Sequence, residues 1–387
     1  MSRPAPPDAS AGVEGELAFV KLMRDRGFAA VDVDGREEDD GECEFVARVG
    51  EGRHPHGLAF GPRGRRAYLA YASSGTVEAV DVRSSSVLDR TDAVGTAPIG
   101  VAASRDGRYL YVTGYGDLPD DDGPGVTVLR THARDDGRFE PVAHLPIGKG
   151  AGVVVDAGDD PWVALKDDGA VVRLDGRPPF DVRDRLSVPG EPQDLSYAPG
   201  YRLLGVNDVD DGSVSFVDLA ERRVVATVDA PNPRGGAASA AHDRWFVADT
   251  EGDGLTVVDL AGERPTRETR LPLGTPTAFV DVAPGGAHVA VDAYEDDRVS
   301  FVDAGTLDVV ARVRTGETPR HPAFAADGRR CYVANVDDDS VAAIDTSSLR
   351  EPGSDPDPRL LARVDLPTDS APSSCFLTER PRRGADT

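Results

Sequence analysis

The stretch PRHPAFAADGRRCYVANVDDDSVAAIDT, residues 319–346, decides the fold. It holds a short apolar segment, a turn with glycine, a second segment rich in β-branched and aromatic residues (CYVAN), an acidic turn (VDDDS) and a third apolar segment ending in aspartate (VAAID). Short apolar runs broken by Asp and Gly clusters are the pattern of antiparallel strands joined by tight turns. Six earlier copies carry the same pattern: HPHGLAFGPRGRRAYLAY (54–71), APIGVAASRDGRYLYVTG (97–114), GAGVVVDAGDDPWVALKD (150–167), PQDLSYAPGYRLLGVND (192–208), PRGGAASAAHDRWFVAD (233–249) and TPTAFVDVAPGGAHVAVD (275–292).

Anchored on the residue after the leading proline or its equivalent, the copies start at positions 56, 99, 151, 193, 234, 277 and 320, so most steps are 41 to 43 residues. The one wide step, from 99 to 151, contains the acidic insertion DLPDDDGPG (117–125). A fourth β-branched segment, such as RRVVATVD (222–229) or LDVVARVR (307–314), leads into the next copy. A period near 40 made of four short strands is the blade of a β-propeller. The ends of the chain set the blade count. ELAFVKLM (16–23), GFAAVDVD (27–34) and CEFVARV (43–49) match second, third and fourth strands without a first, and DSAPSSCFL (369–377) matches a first strand with nothing after it. Joined, they close an eighth blade and pair sheet edges otherwise left open. The expectation is an all-β propeller of eight four-stranded blades over residues 16–378, between flexible tails at 1–15 and 379–387. Seven blades is the alternative, with the N-terminal strands as an outer decoration.

The 387 residues and 39% hydrophobic content suffice for one large core. A formal charge of −25 argues against nucleic acid or an anionic membrane surface as partner, because both repel it at long range. The first residues show no basic region followed by an apolar run of signal-peptide length, and no segment approaches the ~18 apolar residues of a membrane helix, so the chain reads as cytoplasmic. Cys43, Cys331 and Cys375 are odd in number and lie in apolar strand-like runs, which favours buried thiols over disulfides.

LYVTGYGD (110–117) and CYVANVDDDSVAAIDT (331–346) resemble the repeats of the YVTN β-propellers, a family similar to the lactonase propellers and to the haem-binding propeller of cytochrome-type nitrite reductases. The resemblance covers nearly the whole chain. It implies the fold and no single activity, because the repeated residues are mostly structural and the family spans binding proteins and enzymes.

In a propeller the first strand of each blade lines the central channel, so residues at the start of each first strand become neighbours around a ring. On that ring fall His54 and His56 with Arg53 in front, Gln193 and Asp194, Arg234, and Arg320 with His321. His54, His56 and His321 belong to the blades flanking the one closed by the termini, so they are expected in one sector of the channel mouth. Three imidazoles there can hold one divalent transition metal, with Gln193 or Asp194 as an oxygen ligand. Without a metal, His56, His321 and Asp194 are the candidates for proton transfer. The plain alternative makes His54 and His321 polar residues of turns before proline. Arg53, Arg234 and Arg320, with Gln193, are candidate contacts for a small carboxylate or phosphate, which a guanidinium matches in geometry.

Acidic turns between second and third strands (KDDG, NDVDDG, DTEGDG, AYEDDR, NVDDDS) read as a solvated rim without the spacing of a calcium loop. The aspartates that end third strands (Asp81, Asp218, Asp259, Asp303, Asp345) recur too often for catalysis and read as turn residues. Three functions remain open. The first is an enzyme of the lyase, isomerase or lactone-hydrolase type acting on an anionic small molecule at the channel mouth. The second is a propeller without chemistry that grips a ligand or a protein on the same face. The third is a tetrapyrrole-binding propeller, weakened by the missing Cys-x-x-Cys-His motif and by few aromatics near the ring.

Overall fold

Each repeat folds as the four-stranded antiparallel sheet its segmentation predicts, and the computed structural model sets eight such sheets around a ring. It describes residues 17–24, 26–33, 43–116, 124–131, 138–158, 160–350 and 356–377; the expected tails and the acidic insertion at 117–123 lie outside the described residues. The innermost strands of blades 1 to 7 are Pro55–Phe60, Pro98–Ala103, Ala151–Asp156, Pro192–Ala198, Pro233–Ser239, Val280–Val282 and Pro319–Phe324. Blade 8 is built from both ends of the chain. Its inner strand Pro372–Leu377 pairs with Leu17–Leu22, which is followed outward by Arg26–Asp32 and Glu44–Arg53. The N-terminal strands are therefore part of the ring, and the seven-bladed alternative falls.

Burial explains why second and third strands read as unbroken apolar runs. Eight hydrophobic clusters fill the spaces between neighbouring blades, so these strands are covered on both faces. In Arg66–Tyr71, for example, Ala67, Leu69 and Tyr71 pack toward blade 8 while Tyr68 and Ala70 pack toward blade 2. Successive side chains of a strand point to opposite faces, so both sets must be apolar. Fourth strands such as Val182–Ser187 form the outer edge and are largely exposed.

The aspartates ending third strands hold turns. Asp81 accepts from the Ser84 N–H at 2.9 Å, Asp218 from those of Ala220 and Glu221 at 2.7 and 2.8 Å, and Asp303 from Thr306 at 2.7 Å. The acidic turns between second and third strands do more than face water. Asp297 of blade 6 accepts from the Thr318 N–H at 3.2 Å and Asp338 of blade 7 from that of Glu317 at 3.0 Å, so the two pin the crossover between these blades from both sides.

Candidate active site at the channel mouth

The mouth is shaped by a repeated backbone irregularity. In blades 1 to 5, 7 and 8, pairing between the inner and second strands slips where the inner strand begins. Five residues just ahead of these strands, His54, Ala97, Asn232, Thr318 and Ala371, take a left-handed φ of 45° to 55°, each before a proline. Inner strands approach one another closely at the bulges. A Cβ on Gly57 would meet the Ile99 carbonyl oxygen at 2.4 Å, so only glycine fits there.

The three histidines occupy different depths. His54 sits on the left-handed turn shared with four other blades and is exposed, its Nδ1 at 3.4 Å from Ser73 Oγ. His56 lies in the blade 1 bulge, its ring 6.3 Å from that of His54, with Nδ1 donating to the Ile99 carbonyl of blade 2 at 3.2 Å. That bond leaves Nε2 as the nitrogen with a lone pair. Burial, reinforced by the nearby positive charge of Lys21, lowers the pKa of His56 to about 4. His321, in the blade 7 bulge, stacks on Phe279 with ring centres 3.2 Å apart and 22° between planes. Burial holds its pKa well below the usual value, again with Lys21 contributing. Among the described residues no three His, Cys, Asp or Glu side chains are grouped to hold a metal ion, so His54, His56 and His321 do not come together as the expected ligand set.

The other polar groups lie on blades 4 to 7. Arg234 is exposed and donates from Nη1 to Gln193 Oε1 at 3.1 Å. Beside it, the half-buried Asp194 accepts from its own neighbour's N–H, that of Leu195, at 2.9 Å. Burial pushes its pKa up to about 7 against the pull of Arg234. Arg320 is half-buried, its guanidinium carbon 4.7 Å from the centre of the Tyr294 ring. Arg53 departs from the expected ring. It ends the outermost strand of blade 8, paired with Arg26, and is exposed on the crossover, not on a channel-lining strand. The remaining predicted residues form an arc from blade 4 round to blade 1, facing the small or apolar Ile99 and Ala151 of blades 2 and 3.

Sequence reasoning missed Lys21, Tyr294 and Phe279. Lys21 interrupts the apolar run LAFVKL of blade 8 and is one of only three lysines in the chain. Tyr294 hides in a turn read only as acidic, and Phe279 lies two residues past the repeat start at 277, where nothing in the sequence marks it. Both aromatics stand beside basic site residues, a position the sequence had left poor in rings.

No family profile and no curated protein sequence matches the chain. Solved structures do. The propeller superposes on dihydro-haem d1 dehydrogenase NirN, solved in complex with DHE, with a TM-score of 0.72 and 22% identity over 93% of this chain and 74% of that one. The periplasmic gluconolactonase PpgL of Pseudomonas aeruginosa matches at a TM-score of 0.60 and 20% identity, over 95% and 99% of the two chains. Hydrazine synthase of Kuenenia stuttgartiensis matches at 0.56 and 19%, over 76% and 96%. At these identities the likeness is one of fold.

Proposed function

We propose that the protein is an enzyme of the YVTN-propeller type that binds a small anionic molecule at the channel mouth and acts on it by proton transfer, as a lyase, isomerase or lactone hydrolase does. The observation that carries this reading is the coincidence, on one face of a chain of charge −25, of two guanidinium groups (Arg234 and Arg320) with side chains whose pKa values are displaced toward or past neutrality (Asp194, His56, His321). Arg234 and Arg320 supply charge-assisted hydrogen bonds to a carboxylate or phosphate, and Gln193 orients Arg234. Burial keeps His56 and His321 uncharged. An arriving anion offsets that cost, so anion binding and proton uptake by the imidazoles reinforce one another. Asp194, with a carboxyl that exchanges its proton near pH 7, is suited to the opposite transfer across the mouth.

Calorimetric titration with small hydroxy- and oxo-carboxylates and sugar-acid lactones, followed by turnover assays on whatever binds, tests the reading. Arg320→Gln is expected to weaken binding by about tenfold, the loss of one charge-assisted bond. His56→Gln is expected to cost about 100-fold in turnover with binding largely kept. An Arg234→Gln/Arg320→Gln protein that binds every compound as the parent does would end the proposal.

A second reading, tetrapyrrole binding, draws support from the fold likeness to NirN and from uncharged imidazoles able to ligate an iron carried by the ligand. A haem titration followed in the visible spectrum separates the two: an absorbance shift lost in His56→Ala or His321→Ala favours this reading, and free haem's spectrum throughout excludes it.

A further inference from the structure

Lys21 stands in the second strand of blade 8, where the inner strand slips. Val20 pairs with Cys375 and Leu22 with Pro372, so Lys21 lies opposite the bulged Ser373 and Ser374. Corresponding positions, each following a valine, are Thr113 in blade 2, Asn207 in blade 4 and Asp292 in blade 6. All three reach the inner strand of the next blade. Thr113 donates to the Gly152 carbonyl at 2.5 Å, Asn207 to the Arg234 carbonyl at 2.5 Å, and Asp292 accepts from the His321 N–H at 3.4 Å. By the same geometry Lys21 addresses blade 1. Phe19 and Leu17, two and four residues earlier on the same face, pack in the cluster between blades 8 and 1, and Phe19 meets Phe60 at the far end of blade 1's inner strand with ring centres 5.8 Å apart. Lys21 is thereby directed at the mouth end of that strand, where His56 sits. Its charge is felt by His56 and by His321, and burial lowers its own pKa to about 8.

We propose that Lys21 is an amine nucleophile that condenses with the carbonyl carbon of a small carboxylate-bearing aldehyde or ketone at the channel mouth. This deepens the anionic-substrate reading and rests on it for the carboxylate. The unprotonated Nζ attacks the carbonyl carbon, and the π pair moves to oxygen, which takes up a proton. The nitrogen, positively charged after attack, gives up one of its two protons; the oxygen, protonated once more at the expense of solvent, leaves as water while the freed nitrogen lone pair forms the C=N bond, giving a protonated imine. His56 and His321 are the neighbouring groups that can carry protons from nitrogen to oxygen. Arg320 or Arg234 holds the carboxylate.

The chain contains its own controls, since Lys149 and Lys166 are its only other lysines and Lys166 is ion-paired with Glu191 at 2.9 Å. The full-length protein is treated at neutral pH with glyoxylate and cyanoborohydride, which traps an imine as a stable amine, and the rate at each lysine is read by peptide mass mapping. Lys21 is expected to react at least about tenfold faster than Lys149 or Lys166, since an amine of pKa about 8 has far more free base than an ordinary lysine. Propionaldehyde, the same chemistry without a carboxylate, is run in parallel and should show less preference for Lys21. Equal preference with both reagents overturns the carboxylate requirement, and with it the anion-site reading, while the amine assignment stands. Lys21 reacting no faster than the other lysines with either reagent overturns the amine assignment itself.

Discussion

Replacing Asp339 by alanine should loosen the closure of the ring. Its carboxylate accepts from the N–H groups of Asp369 at 2.6 Å, Ser370 at 2.9 Å and Ala371 at 2.8 Å, and from the Ser370 hydroxyl at 3.2 Å. These residues deliver the C-terminal strand Pro372–Leu377 into blade 8. Asp369 is exposed, so water replaces its lost acceptor, but Ser370 and Ala371 are buried. Each buried N–H left without an acceptor costs about 1–3 kcal/mol, and partial access of water to the turn brings the sum to about 2–4 kcal/mol. Burial alone would raise the pKa of Asp339, but the N–H groups of Ala371, Asp369 and Ser370 outweigh it and hold the carboxyl below its ordinary range. A lowered folded-state pKa means the contribution is full above the unfolded carboxylate value of ~3.9 and is lost as the pH falls through the folded value. Hydrogen exchange read by mass spectrometry on peptides covering residues 366–377 is the assay, with the blade 5 strand Arg244–Asp249 as internal reference. Exchange of the C-terminal strand should quicken by about 30- to 1,000-fold at neutral pH, each 1.4 kcal/mol being a factor of ten. A change below about threefold would refute the assignment of ring closure to this carboxylate.

Lys21→Met should stabilise the protein by about 1–3 kcal/mol at neutral pH, read from the urea midpoint. The folded pKa lies below the unfolded one, so the unfolded chain holds more protons between about pH 8 and 10.5, stability rises with pH through that window, and the gain from the substitution fades there. Glu78→Ala should cost about 2–4 kcal/mol in the same measurement. The fully buried Glu78 accepts from Tyr71 at 2.9 Å and Arg90 Nε at 2.8 Å, and weakly from the Glu51 N–H of blade 8 at 3.4 Å, so its loss leaves the buried Tyr71 hydroxyl without its acceptor between two blades and releases the exposed Arg90 to solvent. Cys331 and Cys375 should resist thiol reagents in the native protein and react fully in denaturant, because burial raises both pKa values, that of Cys375 to about 12. Labelling of either at the rate of free cysteine would contradict the packing.

The architecture was legible in the chain because a blade is a local object. Its four strands are consecutive, their turns carry Asp and Gly at fixed offsets, and their burial on both faces writes unbroken apolar runs at a period near 40, as in LYVTG and CYVAN. Closure by the two termini was legible for the same reason, since ELAFVKLM and DSAPSSCFL each match one defined strand of a repeat. The ring of inner-strand starts followed from topology, and with it His56, Gln193, Asp194, Arg234, Arg320 and His321. Depth and direction did not follow, because a bulge of one or two residues turns a side chain from rim to channel without changing the repeat pattern. Only the folded ring places His54 outside and His56 inside, sends Arg53 to the crossover, and separates the histidines that the sequence had grouped around a metal. Only the folded ring, too, brings Lys21 from the first strand of the chain to the mouth end of blade 1, because a reach from one blade to the next depends on which face of the second strand a residue occupies at the slip in pairing.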